Sequence, residues 1–326
     1  MGEIKLNNEK SKKAINMAES YEFSDTFSKK MKIFWKRFKK NKLAVIGLVV
    51  LTFLYSAAIL APWITPYTPE GTVDDIMYTD KAPSFKSYED IDLNGEPITL
   101  KPNIWGRDEL GRDVFTRCVY AGRISLTVGF VSVAIYITIG TIWGSIAGFF
   151  GGWVDIIMMR IVDAIAAIPI MVLLITVLAI FKPNIYNVMI VIGLTGWTGI
   201  ARFVRAEFLS LKRRDFTEAA KSIGAKNFRI IFRHILPNAV APIIVSATMG
   251  IAGAILTESS LSFFGLGVQP PTASWGNMLN NAQELSTMVD APWKAFYPGI
   301  LIFITVLSFN FFGDGLRDAL DPKLKQ

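Results

Sequence analysis

Cysteine and histidine are almost missing. The 326 residues hold one of each, Cys118 and His234. A single cysteine closes no disulfide within the chain and builds no cysteine-based metal site, and a lone histidine makes no multi-histidine metal centre or proton relay. No metal ligand set is expected. Nor is there a G-x-x-x-x-G-K-[S/T] phosphate loop, an H-E-x-x-H pair or a G-x-S-x-G nucleophile elbow. The chain is therefore expected to bind no ATP and no other cofactor of its own, and to carry no catalytic constellation. The apolar stretches lack the columns of acids or bases that proton- and sodium-coupled carriers hold at the bilayer midplane. A cleavable signal peptide is not evident either: about 40 polar residues precede the first apolar run, which is long enough to stay in a membrane.

What is plentiful is apolar. Hydrophobic residues make up 52% of the chain and the mean hydropathy is +0.39, which a soluble domain of this length rarely reaches. Runs of about 20 apolar residues imply several membrane-spanning helices. The net charge of +7 sits beside those runs, as the positive-inside rule requires, so the basic residues point to a lipid surface and not to nucleic acid.

Six spans are expected, at Leu43–Ile64, Ile124–Phe150, Ile156–Phe181, Val188–Phe203, Ala239–Thr257 and Phe296–Phe312. The fold class is an all-α, multi-pass integral membrane protein of the cell membrane, with both termini cytoplasmic. Residues 1–42 form a polar segment, mobile before about Ser24. It ends in a basic amphipathic helix, where Phe27, Met31, Phe34, Trp35 and Phe38 interleave with lysines. Residues 43–120 hold the first span and an outer loop, acidic up to about Glu109, in which Asn94-Gly95 signals a hairpin. Residues 121–326 form a core of five spans.

Local readings follow along the chain. The Arg/Asp alternation of 105–117 favours ion pairs on a flat interfacial helix, with a phosphate or carboxylate site as the alternative. Cys118 should face the outer side and be reachable there unless shielded. Gly129, Gly140, Gly144 and Gly148 recur on the second span and allow close helix approach. Pro169 should kink the third span, and Arg160 and Asp163 should pair on one face of it. The fourth span is short. Glu258, with Ser259, Ser260 and Ser262, is an acid at the outer end of the fifth span. Water is expected to reach it there, and it is a candidate for the translocation path or outer gate.

Between the fourth and fifth spans lies one polar stretch, 205–240, too charged to cross a bilayer. Asp215 and Glu218 read as a capping box over the short helix Glu218-Ala219-Ala220-Lys221-Ser222-Ile223. Gly224 stops that helix, and a second short helix follows. It carries Phe228, Ile231, Phe232 and Ile235 on one face and Arg229 and Arg233 on the other, and Pro237 blocks its continuation. His234 lies on its surface. Charge and periodicity leave two readings: a basic loop that only fixes topology, or an element that docks into a partner.

Glu218-Ala219-Ala220, Gly224 and Ile235-Leu236-Pro237 together resemble the EAA motif of permease subunits in binding-protein-dependent ABC importers. Lys226 stands where that family often has a small residue such as Ser. GRDVFTR (111–117), LTESSLSFFGLGVQPP (256–271) and NFFGDGLRDALDP (310–322) are similar to the second permease subunit of the dipeptide, oligopeptide and nickel importers. The resemblance implies the type I importer permease fold, with a coupling helix over Phe216 to Lys226 that sits in a cleft of a cytoplasmic ATPase. On that reading Asp215, Phe216, Glu218, Ala219, Ala220, Ser222, Gly224, Ala225 and Lys226 serve ATPase coupling, while Ile235, Leu236 and Pro237 shape the loop. It further implies a homologous permease as heterodimer partner, two ABC ATPases holding ATP and Mg2+, and an extracytoplasmic solute-binding protein met by loops 65–120 and 265–295. The solute is expected to be a di- or oligopeptide, with nickel or a metal chelate as alternative. A secondary carrier or passive channel is the competing class.

Overall fold

The computed structural model describes residues 29, 31–91, 95, 97–181 and 184–320. The expected mobile segment before Ser24, and Phe27 in the amphipathic helix, lie outside these residues. The described chain is mostly helical. Residues 31–38 form α1, followed by α2 (Lys42–Ile59), α3 (Ala61–Ile64), a 3-10 turn (Val73–Tyr78), β1 (Tyr88–Ile91), β2 (Pro97–Leu100), α4 (Val114–Phe150), α5 (Gly152–Ala166) and α6 (Ile170–Ile180). Then come α7 (Ile185–Leu211), α8 (Asp215–Ser222), α9 (Asn227–Arg229), a π-helical turn (Ile230–Ile235), α10 (Leu236–Phe263), α11 (Trp275–Asn281), α12 (Leu285–Asp290) and α13 (Trp293–Leu320).

Five described helices are long and apolar enough to cross a membrane alone: α2, α4, α7, the continuous run Asn227–Phe263, and α13. The third expected span is α5 plus α6, bent by 76° at the break before Ile170. Pro169 explains this, because it has no N–H to continue the ladder and its ring clashes with the preceding turn. The spans are longer than hydropathy alone marks. α4 starts at Val114, α7 runs 27 residues where a short span is expected, and α13 reaches Leu320. Arg and Lys near helix ends end a hydropathy window but not a helix.

The bundle closes around a glycine seam. A Cβ on Gly140 would lie 2.7 Å from Ile200 Cβ and one on Gly148 2.7 Å from Phe208 Cβ, while one on Gly144 would run into the Ala201 backbone. α4 and α7 therefore lie backbone to backbone, the approach small residues permit. Gly129 of the same helix faces Ile255 of α10. The core lies beside this seam, with Val188, Val191 and Trp197 of α7 packed among Val128, Val133 and Tyr136 of α4 and Leu174 and Leu178 of α6.

The described residues of 65–113 cap one end of the bundle. β1 and β2 pair antiparallel with Tyr88 opposite Leu100, the hairpin that Asn94-Gly95 signals, with Gly95 at φ 87°. The 105–113 stretch is not a flat interfacial helix. Gly106 and Gly111 take left-handed φ of 77° and 73°, which turns the chain twice. A Cβ on Gly111 would overlap the Asp75 carbonyl. Helix begins only at Val114, where the Asp113 carboxylate accepts from Thr116 N at 2.8 Å and its hydroxyl at 2.7 Å.

The expected ion pairs do form, and they are buried. Arg107 Nη1 lies 2.6 Å from Asp75 Oδ1, and Asp108 receives Arg112 at 2.8 Å and Arg117 at 3.3 Å. Burial pushes the Asp108 carboxyl above the usual carboxylate range. Glu109 adds to that, against the pull of Arg112 and Arg117. Lys294 of α13 reaches Asp80 at 2.8 Å and Glu109 at 3.2 Å, and Trp105 stacks on Tyr297 with ring centroids 4.3 Å apart. The cap is thus fastened to α13. α2 pairs with α13, and Phe38 packs edge-on against Phe312 at the opposite end.

Gly144→Val should force α4 and α7 apart and cost about 1–3 kcal/mol, the usual range for overpacking. The thermal unfolding midpoint of the purified protein in detergent should fall; an unchanged midpoint would mean the seam is not a tight contact.

Candidate functional site

The 205–240 stretch sits at the end of the bundle away from the cap, where α4 and α7 both finish. α7 continues to Leu211, and Thr217 Oγ1 turns back to donate to the Leu211 carbonyl at 2.9 Å. That bond ties the first turn of α8 to the last turn of α7. Thr217 and Ala220 are buried on the bundle side. They rest on a cluster made by Phe149 of α4, Val204 and Phe208 of α7, and Ile230, Ile231 and Ile235 of the π turn. Lys212 Nζ donates to the Phe149 carbonyl, and Arg205 makes a two-pronged pair with Asp155. α8 is therefore seated on three elements.

The capping box is not formed. The N-cap is Arg214, without a side-chain bond, and Asp215 is already the first helical residue. Asp215 and Glu218 are both exposed, where their charges still favour a helix N-terminus. The helix stop is as the sequence indicates. Gly224 has φ 79°, its N–H donates to Lys221 O at 2.9 Å, and Ala225 N–H donates to Ala220 O at 3.1 Å. Those two bonds make the Schellman closure that satisfies the last carbonyls of a helix. Ser222 bonds back to the Glu218 carbonyl at 3.0 Å, and Lys226 provides the N-cap of α9.

Pro237 does not end the second helix. It lies in the first turn of α10, directly after the π turn, and α9, the π turn and α10 run on through it as one rod. The expected apolar face divides. Ile231 and Ile235 are buried with Ile230, while Phe228 and Phe232 are exposed and pack on one another at 4.3 Å. His234 is half-buried, and its carbonyl accepts from Asn238 Nδ2 at 2.7 Å. Phe216 and Ala219 of α8 and its C-cap Ile223, at a spacing of three and four, are exposed. Ile223 is 84% exposed. An eight-residue helix thus shows the solvent an apolar stripe while its other side is anchored.

Comparison with known proteins gives the family. Residues 140–326 match the family model described as binding-protein-dependent transport system inner membrane component, and residues 30–83 match the N-terminal TM domain of oligopeptide transport permease C. The chain belongs to this permease family. It is 43% identical to the dipeptide transport system permease protein of Alkalihalophilus pseudofirmus, over 89% of each chain. It is 39% identical to the oligopeptide transport system permease protein of Bacillus subtilis, over 93% of this chain and 94% of that one. It is 43% identical to the glutathione transport system permease protein of Pectobacterium atrosepticum, over 90% and 91%. The chain is thus a multi-pass membrane permease subunit of a transporter.

The permease's second candidate, Glu258, lies at the other end of α10 and is not at water. It is fully buried. Its oxygens accept from Ser262 at 2.7 Å, Ser125 of α4 at 3.2 Å and Ser259 at 3.4 Å. Ser125 also accepts from Trp275 N at 3.3 Å, and Ser262 from Val268 N at 3.2 Å. The carboxylate is the centre of a knot that holds segment 264–281 against α4. Gly267 and Gly276 belong to it, since a Cβ on Gly276 would lie 2.6 Å from Ser259 Cα. Trp275 Nε1 donates to the Cys118 carbonyl at 2.9 Å, and Cys118 is 1% exposed, so the thiol is shielded. The Arg160–Asp163 pair does not form; Asp163 pairs with Arg202 at 2.8 Å. Sequence reasoning missed Thr217 as the anchor of α8, although its spacing from Ala220 marks a buried edge. It also missed the Arg205–Asp155 and Arg202–Asp163 pairs, which join residues far apart in the chain.

Glu258→Ala should loosen this knot and open a path to Cys118. An impermeant maleimide should leave the parent unlabelled and label the variant, read by mass shift in the folded protein. A variant that stays unlabelled would show that the serine cage does not hold the segment down.

Proposed function

We propose that this chain is the second permease subunit of an ATP-driven importer for di- or oligopeptides. α8 is its coupling helix, docked into one of two cytoplasmic ATPase subunits that hold ATP and Mg2+. The observation that carries the reading is the outward stripe of Phe216, Ala219 and Ile223 on a helix whose other side is anchored at Thr217 and Ala220. An apolar stripe on a firmly seated helix suits a partner groove better than open solvent. The dipeptide and oligopeptide names of close relatives support the solute class.

On this reading α8, α1 and the end of α13 lie on the cytoplasmic side of the cell membrane, and the 65–113 cap faces the solute-binding protein. The other half of the path comes from a homologous permease. ATP would draw the two ATPases together, and α8 would carry that movement into α7 and the π turn through the Thr217–Leu211 bond and the Ile230 cluster. Asp215 and Glu218 of α8 and Lys226, the N-cap of α9, are exposed and would set the charge contacts with the ATPase. Ser222, Gly224 and Ala225 would hold its shape.

Gly224→Val places a β-branched residue at φ 79°, at a cost of about 1–2 kcal/mol. It should abolish the helix stop and reduce ATP-dependent dipeptide uptake and ATPase co-purification about tenfold or more, while membrane insertion persists. Normal uptake and co-purification would sink the coupling role. The subunit purified alone should hydrolyse no ATP, and uptake that proceeds without nucleotide would favour a carrier or channel instead.

A further inference from the structure

The crossing made by α5 and α6 is broken. α5 ends at Ala166, α6 starts at Ile170, and residues 167–169 are exposed on the chain. Hydrocarbon cannot satisfy backbone that leaves a helical path, so such a break faces protein or water. Charged side chains lie beside it. Asp163 stands one turn before the break. It pairs with Arg202 of α7, and the two side chains remain 51% and 50% exposed. Arg160, one turn further back, is exposed and makes no ion pair among the described residues. At about 1.5 Å per residue, Arg202 lies about 25 Å from the start of α7 and about 13 Å from its end. That depth falls within a helix long enough to cross a hydrocarbon core of about 30 Å.

Three charges on two membrane-crossing segments are disfavoured against bare lipid tails and call for water or protein around them. α7 itself points to open space there. A Cβ on Gly199, one turn before Arg202, would meet nothing within 4 Å, and Thr195 and Thr198 on the same side are partly exposed. The strip therefore combines an irregular backbone, an open glycine, hydroxyls and charges of both signs. Discontinuous spans with polar neighbours are where transporters place solute.

We propose that Arg160, Asp163, Thr198 and Arg202 line a water-filled part of the translocation path and contact a zwitterionic solute in passage. Arg160 meets its carboxylate, and Asp163, shared with Arg202, meets its amino group. The solute contact rests on the transport reading above; the water-filled path does not. The pairing of Asp163 with Arg202 keeps the two charges compensated when no solute is present. Arg160, with no ion-pair partner among the described residues, is the side chain placed to engage a carboxylate.

The test uses the assembled transporter in proteoliposomes, with an impermeant cationic methanethiosulfonate on both faces. Arg160→Cys and Thr198→Cys should react about tenfold faster than Leu194→Cys, an exposed apolar position of α7, above the silent background of buried Cys118. Arg160→Gln should raise KM for a radiolabelled dipeptide about fivefold with little change in maximal rate, and Arg160→Lys should restore it. Thiols at 160 and 198 as slow as at 194 would place the strip under the partner subunit and overturn the proposal. Fast labelling with an unchanged KM in Arg160→Gln would remove the solute contact. Absence of dipeptide uptake in the parent would overturn the transport reading and the contact with it, while the labelling contrast would still decide the water path.

Discussion

The α4–α7 seam is the contact on which the rest of the molecule depends. Three glycines, at 140, 144 and 148, bring the two backbones so close that no larger residue fits between them. In a bilayer there is little hydrophobic force to press helices together, so close packing of this kind must supply the association. Because the seam runs to the last turn of α4, it fixes where α7 emerges and so where Leu211 presents its carbonyl to Thr217. The seat of α8 follows from it. Arg205 and Lys212 reinforce the same end by reaching Asp155 and the Phe149 carbonyl.

The opposite end is held by polar groups in place of glycine packing. Glu258 gathers hydroxyls from α4 and α10, and those hydroxyls in turn receive the backbone N–H groups of Trp275 and Val268. The cap is fixed differently again, by buried pairs around Asp75 and Asp108 and by the buried Lys294 reaching the exposed Asp80. Removing one partner of such a pair leaves the other charged and dry, which is why buried ionic groups fix geometry more than they add stability. The two ends thus differ in kind: a small anchored helix with an apolar outward stripe at one, a cross-braced polar cap at the other.

The sequence shows much of this, and its failures have physical causes. Long apolar runs mark every crossing, and Gly224, Gly95 and Pro169 mark turns that the backbone takes as expected, because their φ demands are local. Asp215 and Glu218 form an acceptable capping pattern, but the helix starts one residue earlier, at the Arg214 N-cap, and Thr217 donates back to the Leu211 carbonyl. Pro237 is legible as a break or as a helix start, and only the π turn before it decides between them. Glu258 reads as accessible because it lies near a span end. Segment 264–281 folding back over it is a long-range event with no periodicity to announce it. The glycine spacing on the second span indicates a close contact without naming α7 as the partner.

One rod joins the two ends. Asn227–Phe263 runs 37 residues without a break, about 55 Å at the rise of an α-helix. Its first turns carry Ile230, Ile231 and Ile235 beneath α8, and its last turns carry Glu258 and Ser262 beneath segment 264–281. A displacement of α8 that tilts this rod must therefore act on the serine cage, because neither end can move independently of a continuous helix. The π turn, Pro237 and Pro242 are the three places along it where the ladder is weakened. All lie near the α8 end. Any bending of the rod would therefore be concentrated at its α8 end, and beyond Pro242 the helix carries no further proline before it reaches the knot.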